Sequence, residues 1–308
     1  MSFKHSVARL AWPLLAPLVA LTALTACSDD DAAPADEAAV NVVVGLYPFQ
    51  FLVQEVGGDL VAVTNLTQPG AEPHDLELTP GQVAAVGRAD LVVYLPELQS
   101  AVDEAVAQAG DGLAVVDVSQ AVALLPGHDE QGEAMGTDPH VWLDPERMAD
   151  IATATAEALA QADPDHAEAY QSGAGRLRAS LAALDQQYAD GLADCARQVF
   201  ITSHAAFGYL ADRYGLTQVP IAGLSPDAEP SPARVAAVQA LATQHGVTTI
   251  FFEVLASPAL ADAIASDLGL RTAVLDPIEG LSDQSQADDY VGLMRANLEA
   301  LRQANQCS

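Results

Sequence analysis

Short apolar runs recur along the chain, and most are followed by a stretch whose apolar positions fall three or four apart. The first run is Val40-Asn41-Val42-Val43-Val44-Gly45, which reads as a buried parallel strand. Residues 48–56 follow with Phe49, Leu52, Val53 and Val56 at helical spacing, and Gly57-Gly58 stops that helix. Further strands are predicted over 61–66, 91–95 and 114–118, with helices over 80–89 and 97–109. Thr79 is a good cap for the first of these, with Pro80 at the first helical position. Alternation of this kind predicts an α/β fold with a parallel sheet.

Between residue 146 and about residue 193 the pattern turns purely helical. Met148, Ile151, Ala152 and Leu159 share one face of a first helix, which is interrupted at Asp163-Pro164. A second stretch, 165–192, sets Leu177, Leu181, Leu184 and Tyr188 on one face. It would span about 40 Å at ~1.5 Å per residue, long enough to act as a rod between two domains. Alternation then resumes, with strands over 198–202, 217–221, 248–252 and 272–275 and helices over 204–214, 231–245, 258–268 and 288–305. The expected architecture is two α/β lobes, each a mostly parallel sheet flanked by helices, joined by one long linker helix. The boundaries drawn from the pattern are 40–164 for the first lobe, 165–193 for the linker and 194–308 for the second lobe. A chain of 308 residues suits two cores better than one.

The start of the chain follows different rules. Lys4, His5 and Arg9 precede an apolar run over 10–26 that is interrupted by Pro13 and Pro17. A basic segment before a short, broken apolar stretch reads as a secretory leader over 1–27 and not as a membrane span. It ends in Leu24-Thr25-Ala26-Cys27, which resembles the bacterial lipobox, and that resemblance implies lipidation at Cys27. Residues 28–39 are acidic, rich in Ala and Pro, and without periodicity. They read as a disordered tether.

Charge narrows the range of partners. The sequence holds 12 basic and 42 acidic residues; both basic residues of the leader precede residue 27, and no lysine follows it. A surface this acidic repels nucleic acid and anionic headgroups. The chain also lacks a Gly-rich phosphate loop, which removes nucleotides from consideration. A diffuse negative field keeps a protein soluble but does not select a ligand. Two cysteines remain beyond the leader, Cys195 and Cys307. A bridge between them would contribute about 4–5 kcal/mol in the chain-entropy model; the alternative is a pair of thiols.

Seven histidines are no excess for this length, so placement carries the argument. His74 lies in a loop between a strand and a helix, His140 just ahead of a helix and His204 where a strand hands over to a helix, and Asp276 follows a strand directly. Ligands of open α/β sheets bind at such strand ends. Two of the four fall in each expected lobe, so convergence would place a site in the cleft between them. Three imidazoles and a carboxylate suit Zn²⁺ in tetrahedral geometry. If the protein fills every position, no site stays open to activate water, which points to transport or storage. Taken singly, each histidine is more simply a surface residue or a satisfied polar group.

The same residues sit in a series of motifs: GAEPHDLELTP, DPHVWLDP, TSHAAFGYLADRYGL, GLSPDAEPSP and AVLDP. In this order they resemble the zinc/manganese-type solute-binding proteins of ABC importers, from about Val42 to the C-terminus. The resemblance implies a two-lobe fold with a rigid linking helix, and His74, His140, His204 and Asp276 as metal ligands. It implies a permease and a cytoplasmic ATPase as partners, with the chain a lipid-anchored monomer outside the cytoplasmic membrane. Manganese members often carry Glu as the third ligand. His204 at that place favours Zn²⁺, with Mn²⁺ the alternative.

Zinc-type members often carry a His-rich acidic loop, whereas residues 126–137 hold a single histidine, His128. This segment reads as a solvated loop more than as a metal collector. Glu279 is a candidate to replace Asp276 or to support it. Glu229, Glu253 and Ser203 are candidates to hydrogen-bond the imidazoles, and His166 and His245 read as surface residues. Two other functions stay open at this stage. A secreted metallohydrolase would need an open coordination position and a general base, and the chain has no H-E-x-x-H motif. In an adhesion lipoprotein the histidines would be incidental.

Overall fold

The computed structural model describes residues 39–128 and 133–308. The expected leader, with Cys27, and the expected tether up to residue 38 lie outside the described residues. So do residues 129–132 of the acidic loop. No helix among the described residues is long and apolar enough to cross a membrane.

The first half builds a sheet from β1 (Val40–Val44), β2 (Val61–Asn65), β3 (Leu91–Tyr94) and β4 (Val115–Asp117), in the order β2-β1-β3-β4 and parallel throughout. The intervening helices are α1 (Tyr47–Gly57), α2 (Pro80–Val86) and α3 (Ser100–Ala109), and a single turn, α4 (Val118–Ala121), follows β4. Val42 and Val44 are fully buried on one face of β1, and Val43 is buried on the other. This two-sided burial explains an apolar run without alternation. Thr79 caps α2 as expected, in a reciprocal capping box with Gln82. The helix predicted over 97–109 starts three residues later, because Glu97 adopts a left-handed φ of 69° and donates its N–H to Asp103.

The acidic segment forms a small antiparallel ribbon, β5 (Pro126–His128) with β6 (Ala134–Thr137). Next come the two antiparallel helices α5 (Pro145–Ala162) and α6 (Ala167–Leu192). The buried face of α6 comprises Tyr170, Gly173, Ala174, Leu177, Leu181, Leu184, Tyr188 and Leu192, spaced three or four apart as a helix against a core requires. At Gly173 the backbone of α1 comes so close that a Cβ would stand 2.1 Å from the Val56 carbonyl oxygen.

The second half repeats the plan with β7 (Val199–Thr202), β8 (Thr217–Pro220), β9 (Thr249–Phe252) and β10 (Arg271–Val274). They form another wholly parallel sheet, in the order β10-β9-β7-β8. Its helices are α7 (Gly208–Tyr214), α8 (Pro232–His245), α9 (Ala259–Leu268) and the closing α10 (Tyr290–Asn305). The helix expected from residue 204 begins only at Gly208. The backbone of 203–205 instead turns alongside 222–223, where Ala205 donates to Gly223 and Ala222 to Ser203. That delay keeps His204 in a loop. α6 packs on α1, α5 and α10, and one apolar cluster runs from Val42 and Phe49 through Trp142, Leu181 and Tyr188 to Phe200, Phe251 and Leu293. The fold is therefore the two-lobe α/β arrangement read from the pattern, with the long helix as its spine. Cys195 and Cys307 form a disulfide. It ties the end of α10 to the chain entering β7, where Arg197 also donates its N–H to the Asn305 carbonyl.

Candidate metal centre

Four loops at the C-terminal ends of strands converge in the cleft between the lobes. His74 lies on the loop after β2, ahead of α2. That loop is clamped by Gln99, whose amide donates to the Thr67 hydroxyl at 3.0 Å and the Pro73 carbonyl at 3.2 Å. Gly45 admits this clamp, since a Cβ there would stand 2.5 Å from the Gln99 Oε1. Within the loop Glu72 accepts the His74 N–H at 2.9 Å.

His140 follows Asp138-Pro139 after β6 and precedes a single helical turn, Val141–Leu143. An Asx turn forms because Asp138 Oδ1 accepts the His140 N–H at 3.0 Å. The turn places Trp142 in the core, where its indole donates to the Pro277 carbonyl in the other lobe at 2.7 Å. Tyr290 in turn donates to the Trp142 carbonyl at 2.6 Å. His204 leaves the end of β7. The loop after β10 supplies Glu279 and is tied across the cleft by the Gly70 N–H, which donates to Leu281 at 2.9 Å.

The geometry at the centre is tight. Glu279 Oε1 stands 3.1 Å from His140 Nε2, 3.2 Å from His74 Nε2 and 3.7 Å from His204 Nε2. The Nε2 atoms of His140 and His204 are 3.3 Å apart. A tetrahedron with metal–ligand bonds of ~2.0 Å has edges of about 3.3 Å, so these separations match those of four ligands around one small cation. The structure groups His74, His140, His204 and Glu279 as one set able to hold a metal ion. His140 and His204 are fully buried, Glu279 nearly so, and only His74 keeps partial access to solvent. A second grouping, Glu72, Asp75 and Asp227, is partly or fully exposed and contains no imidazole.

Asp276, the carboxylate expected from sequence, is not in the set. Its side chain builds the turn that delivers Glu279. Oδ1 accepts the Ile278 N–H at 2.8 Å, while Asn297 of α10 accepts the Asp276 N–H at 2.8 Å and donates to its carbonyl at 2.6 Å. The turn drives Ile278 to a φ of 61°, a left-handed conformation that a β-branched residue adopts only under constraint. Glu279 is swung into the cleft as a result. The other carboxylate oxygen, Asp276 Oδ2, is buried without a hydrogen-bond partner.

Electrostatics follows from crowding. Burial alone would raise the Glu279 pKa, but hydrogen bonds from His140, His204 and His74 hold it well below the usual carboxylate range. Burial likewise opposes charge on His204, yet Glu253 and Glu279 beside it outweigh that and push its pKa up to about 10. His140 is raised against burial by its bonds to Asp138 and Glu279. Asp276 is pushed up to about 6, by burial first and then by the charges of Glu279 and Glu253, with the Ile278 N–H opposing.

Of the supporting residues named from sequence, Glu253 and Ser203 contact each other and Glu253 contacts His204, whereas Glu229 is exposed. His166 pairs with Asp163 at 2.7 Å, away from the site, and His245 and His128 are exposed. Sequence reading passed over Asp138 as a partner of His140; the signal was an acidic residue two positions before a histidine across a proline.

Residues 42–304 match the family model of the zinc-uptake complex component A, periplasmic. The chain belongs to this zinc-uptake family. It is 39% identical over 277 residues to the high-affinity zinc uptake system protein ZnuA of Bacillus subtilis, covering 85% of this chain and 86% of that one. It is 36% identical to the zinc-binding lipoprotein AdcA of Streptococcus pneumoniae, covering 94% of this chain but only 60% of that longer protein. The crystal structure of the Zn(II)-bound ZnuA-like domain of Streptococcus pneumoniae AdcA superposes with a TM-score of 0.75 at 35% identity, covering 87% of this chain and 99% of that domain. Membership in this family makes the chain an extracytoplasmic solute-binding component of zinc uptake and not an enzyme.

Proposed function

We propose that this protein captures Zn²⁺ outside the cytoplasmic membrane through His74, His140, His204 and Glu279 and delivers it to an ABC permease driven by a cytoplasmic ATPase. The observation that carries the reading is the mutual spacing of the four donor atoms, 3.1–3.7 Å for the pairs around Glu279 Oε1. Three imidazoles and one carboxylate form a borderline donor set that suits Zn²⁺ better than the oxygen-rich sets preferred by Mn²⁺. All four positions come from protein, so the cation is held without an open place for reactive water. The zinc named for its relatives agrees with this donor set.

The remaining expectations complete the picture. Cys27 carries a lipid, the acidic segment to residue 39 is a tether, and the anchored chain works as a monomer with its lobes spanning 40–164 and 194–308. Elemental analysis of purified protein, with Zn²⁺ and Mn²⁺ in competition, tests the central claim. The expected result is about one zinc per chain with manganese excluded, lost in His204→Ala. Full-affinity zinc binding by that variant, or a preference for manganese, would refute it.

A further inference from the structure

The four converging groups do not account for two more carboxylates buried against them. Asp138 is 5% exposed and Glu253 3%, and a buried carboxylate is costly unless it is paired. Each is committed to one histidine, and in the same manner. Asp138 Oδ1 accepts the backbone N–H of His140 at 3.0 Å and faces its ring Nδ1 at 2.8 Å. Glu253 Oε1 accepts the backbone N–H of His204 at 3.3 Å and faces its ring Nδ1 at 2.6 Å. The Ser203 hydroxyl donates to that same glutamate oxygen.

The two lobes reach this arrangement by unrelated routes. Asp138 arrives through a turn within its own loop, two residues upstream of His140. Glu253 arrives from the neighbouring strand, because the β7–β9 register that pairs Thr202 with Phe251 sets His204 opposite Glu253 two residues on. His74 is different: its carboxylate neighbours Glu279 and Glu72 both face Nε2, at 3.2 Å and 4.0 Å.

We propose that Asp138 and Glu253 are positioning residues of the metal site, keeping the proton on Nδ1 of His140 and His204 so that Nε2 is the nitrogen that gives up its proton and ligates the ion. An imidazole ligates only through a nitrogen that carries no proton, and a carboxylate on the opposite nitrogen settles which one that is. It also fixes the ring plane before the ion arrives, so less side-chain freedom is lost on binding. The inference rests on the reading that these histidines hold zinc.

The test is zinc affinity, measured by competition with a chromogenic chelator, in wild type and in Glu253→Ala, Glu253→Gln, Asp138→Ala and Asp138→Asn. It is paired with ¹⁵N NMR of the imidazoles in zinc-loaded protein. Failure of the wild type to bind zinc refutes the functional reading itself; the outcomes that follow concern the positioning role alone. Each alanine variant is expected to bind roughly 10–100-fold more weakly. Each amide variant keeps an oxygen that accepts from Nδ1–H and is expected to recover much of that loss. In the wild type both rings should show Nδ1 protonated and Nε2 metallated. The inference is overturned by alanine variants within about threefold of wild type, by amide variants as weak as the alanine ones, or by zinc on Nδ1 of either ring. Should an alanine variant fail to fold, its amide counterpart and the ring NMR decide.

Discussion

Glu279 Oε1 lies 3.1 Å from His140 Nε2, although 139 positions separate the two residues along the chain. The contact joins a loop of one lobe to a loop of the other, at a point from which water is nearly excluded. It makes Glu279, and not Asp276, the carboxylate that stands at ligand spacing from the three imidazoles.

Glu279→Ala should therefore weaken zinc binding by more than the roughly 10–100-fold expected for an outer hydrogen-bonding partner. Asp276→Asn keeps the acceptor for the Ile278 N–H and should stay within about tenfold of wild type. Chelator competition on both variants checks this. The opposite ranking would return Asp276 to the ligand set.

Zinc binding should release protons. The neighbouring carboxylates raise the His204 pKa to about 10, so at neutral pH the metal-free ring is an imidazolium, and ligation through Nε2 must expel a proton. Affinity should fall as pH falls, by about tenfold per unit for each proton displaced, and should level off above about pH 10. Calorimetry in buffers of different ionisation enthalpy checks the sign; zinc uptake at pH 7 without proton release would contradict it.

The Cys195–Cys307 bridge closes a loop with a sequence separation of 112, at the opposite end of β7 from His204. Replacing both cysteines with serine should cost about 2–5 kcal/mol of stability and leave zinc stoichiometry unchanged. Denaturant unfolding of the zinc-free protein, with metal analysis alongside, measures both effects.

Gly173→Ala puts a methyl group where the Val56 carbonyl oxygen stands, 2.1 Å from the added carbon. Backbone must shift on either α1 or α6, so a loss of about 1–3 kcal/mol or more is expected despite the better helix propensity of alanine. A Tm equal to or above wild type would show that the two helices are not held this closely.

Much of this molecule was legible from local pattern. The valines of β1, the capping box at Thr79 and the apolar stripe of α6 are each set by neighbours within a turn or a strand's length. The histidines were legible as strand-end residues, since the end of a strand is marked by where its apolar run stops. Errors came where a residue serves a turn. Glu97 delays a helix through a left-handed backbone held by Asp103, and the loop at 203–207 stays out of α7 because it bonds to 222–223. Asp276 shows the same limit of local pattern: a carboxylate directly after a strand looks like a ligand, and only Asn297 of a distant helix shows that its backbone is fastened into a turn.

By itself the sequence determined the order of strands and helices, the length of the spine and the three imidazoles available at strand ends, because short-range periodicity and chain geometry decide those matters. Tertiary structure decided which carboxylate meets the imidazoles and which nitrogen of His140 and His204 faces inward. Those depend on a strained turn at Ile278, on the register between β7 and β9 and on bonds across the cleft, all of them relations among residues that no local spacing encodes.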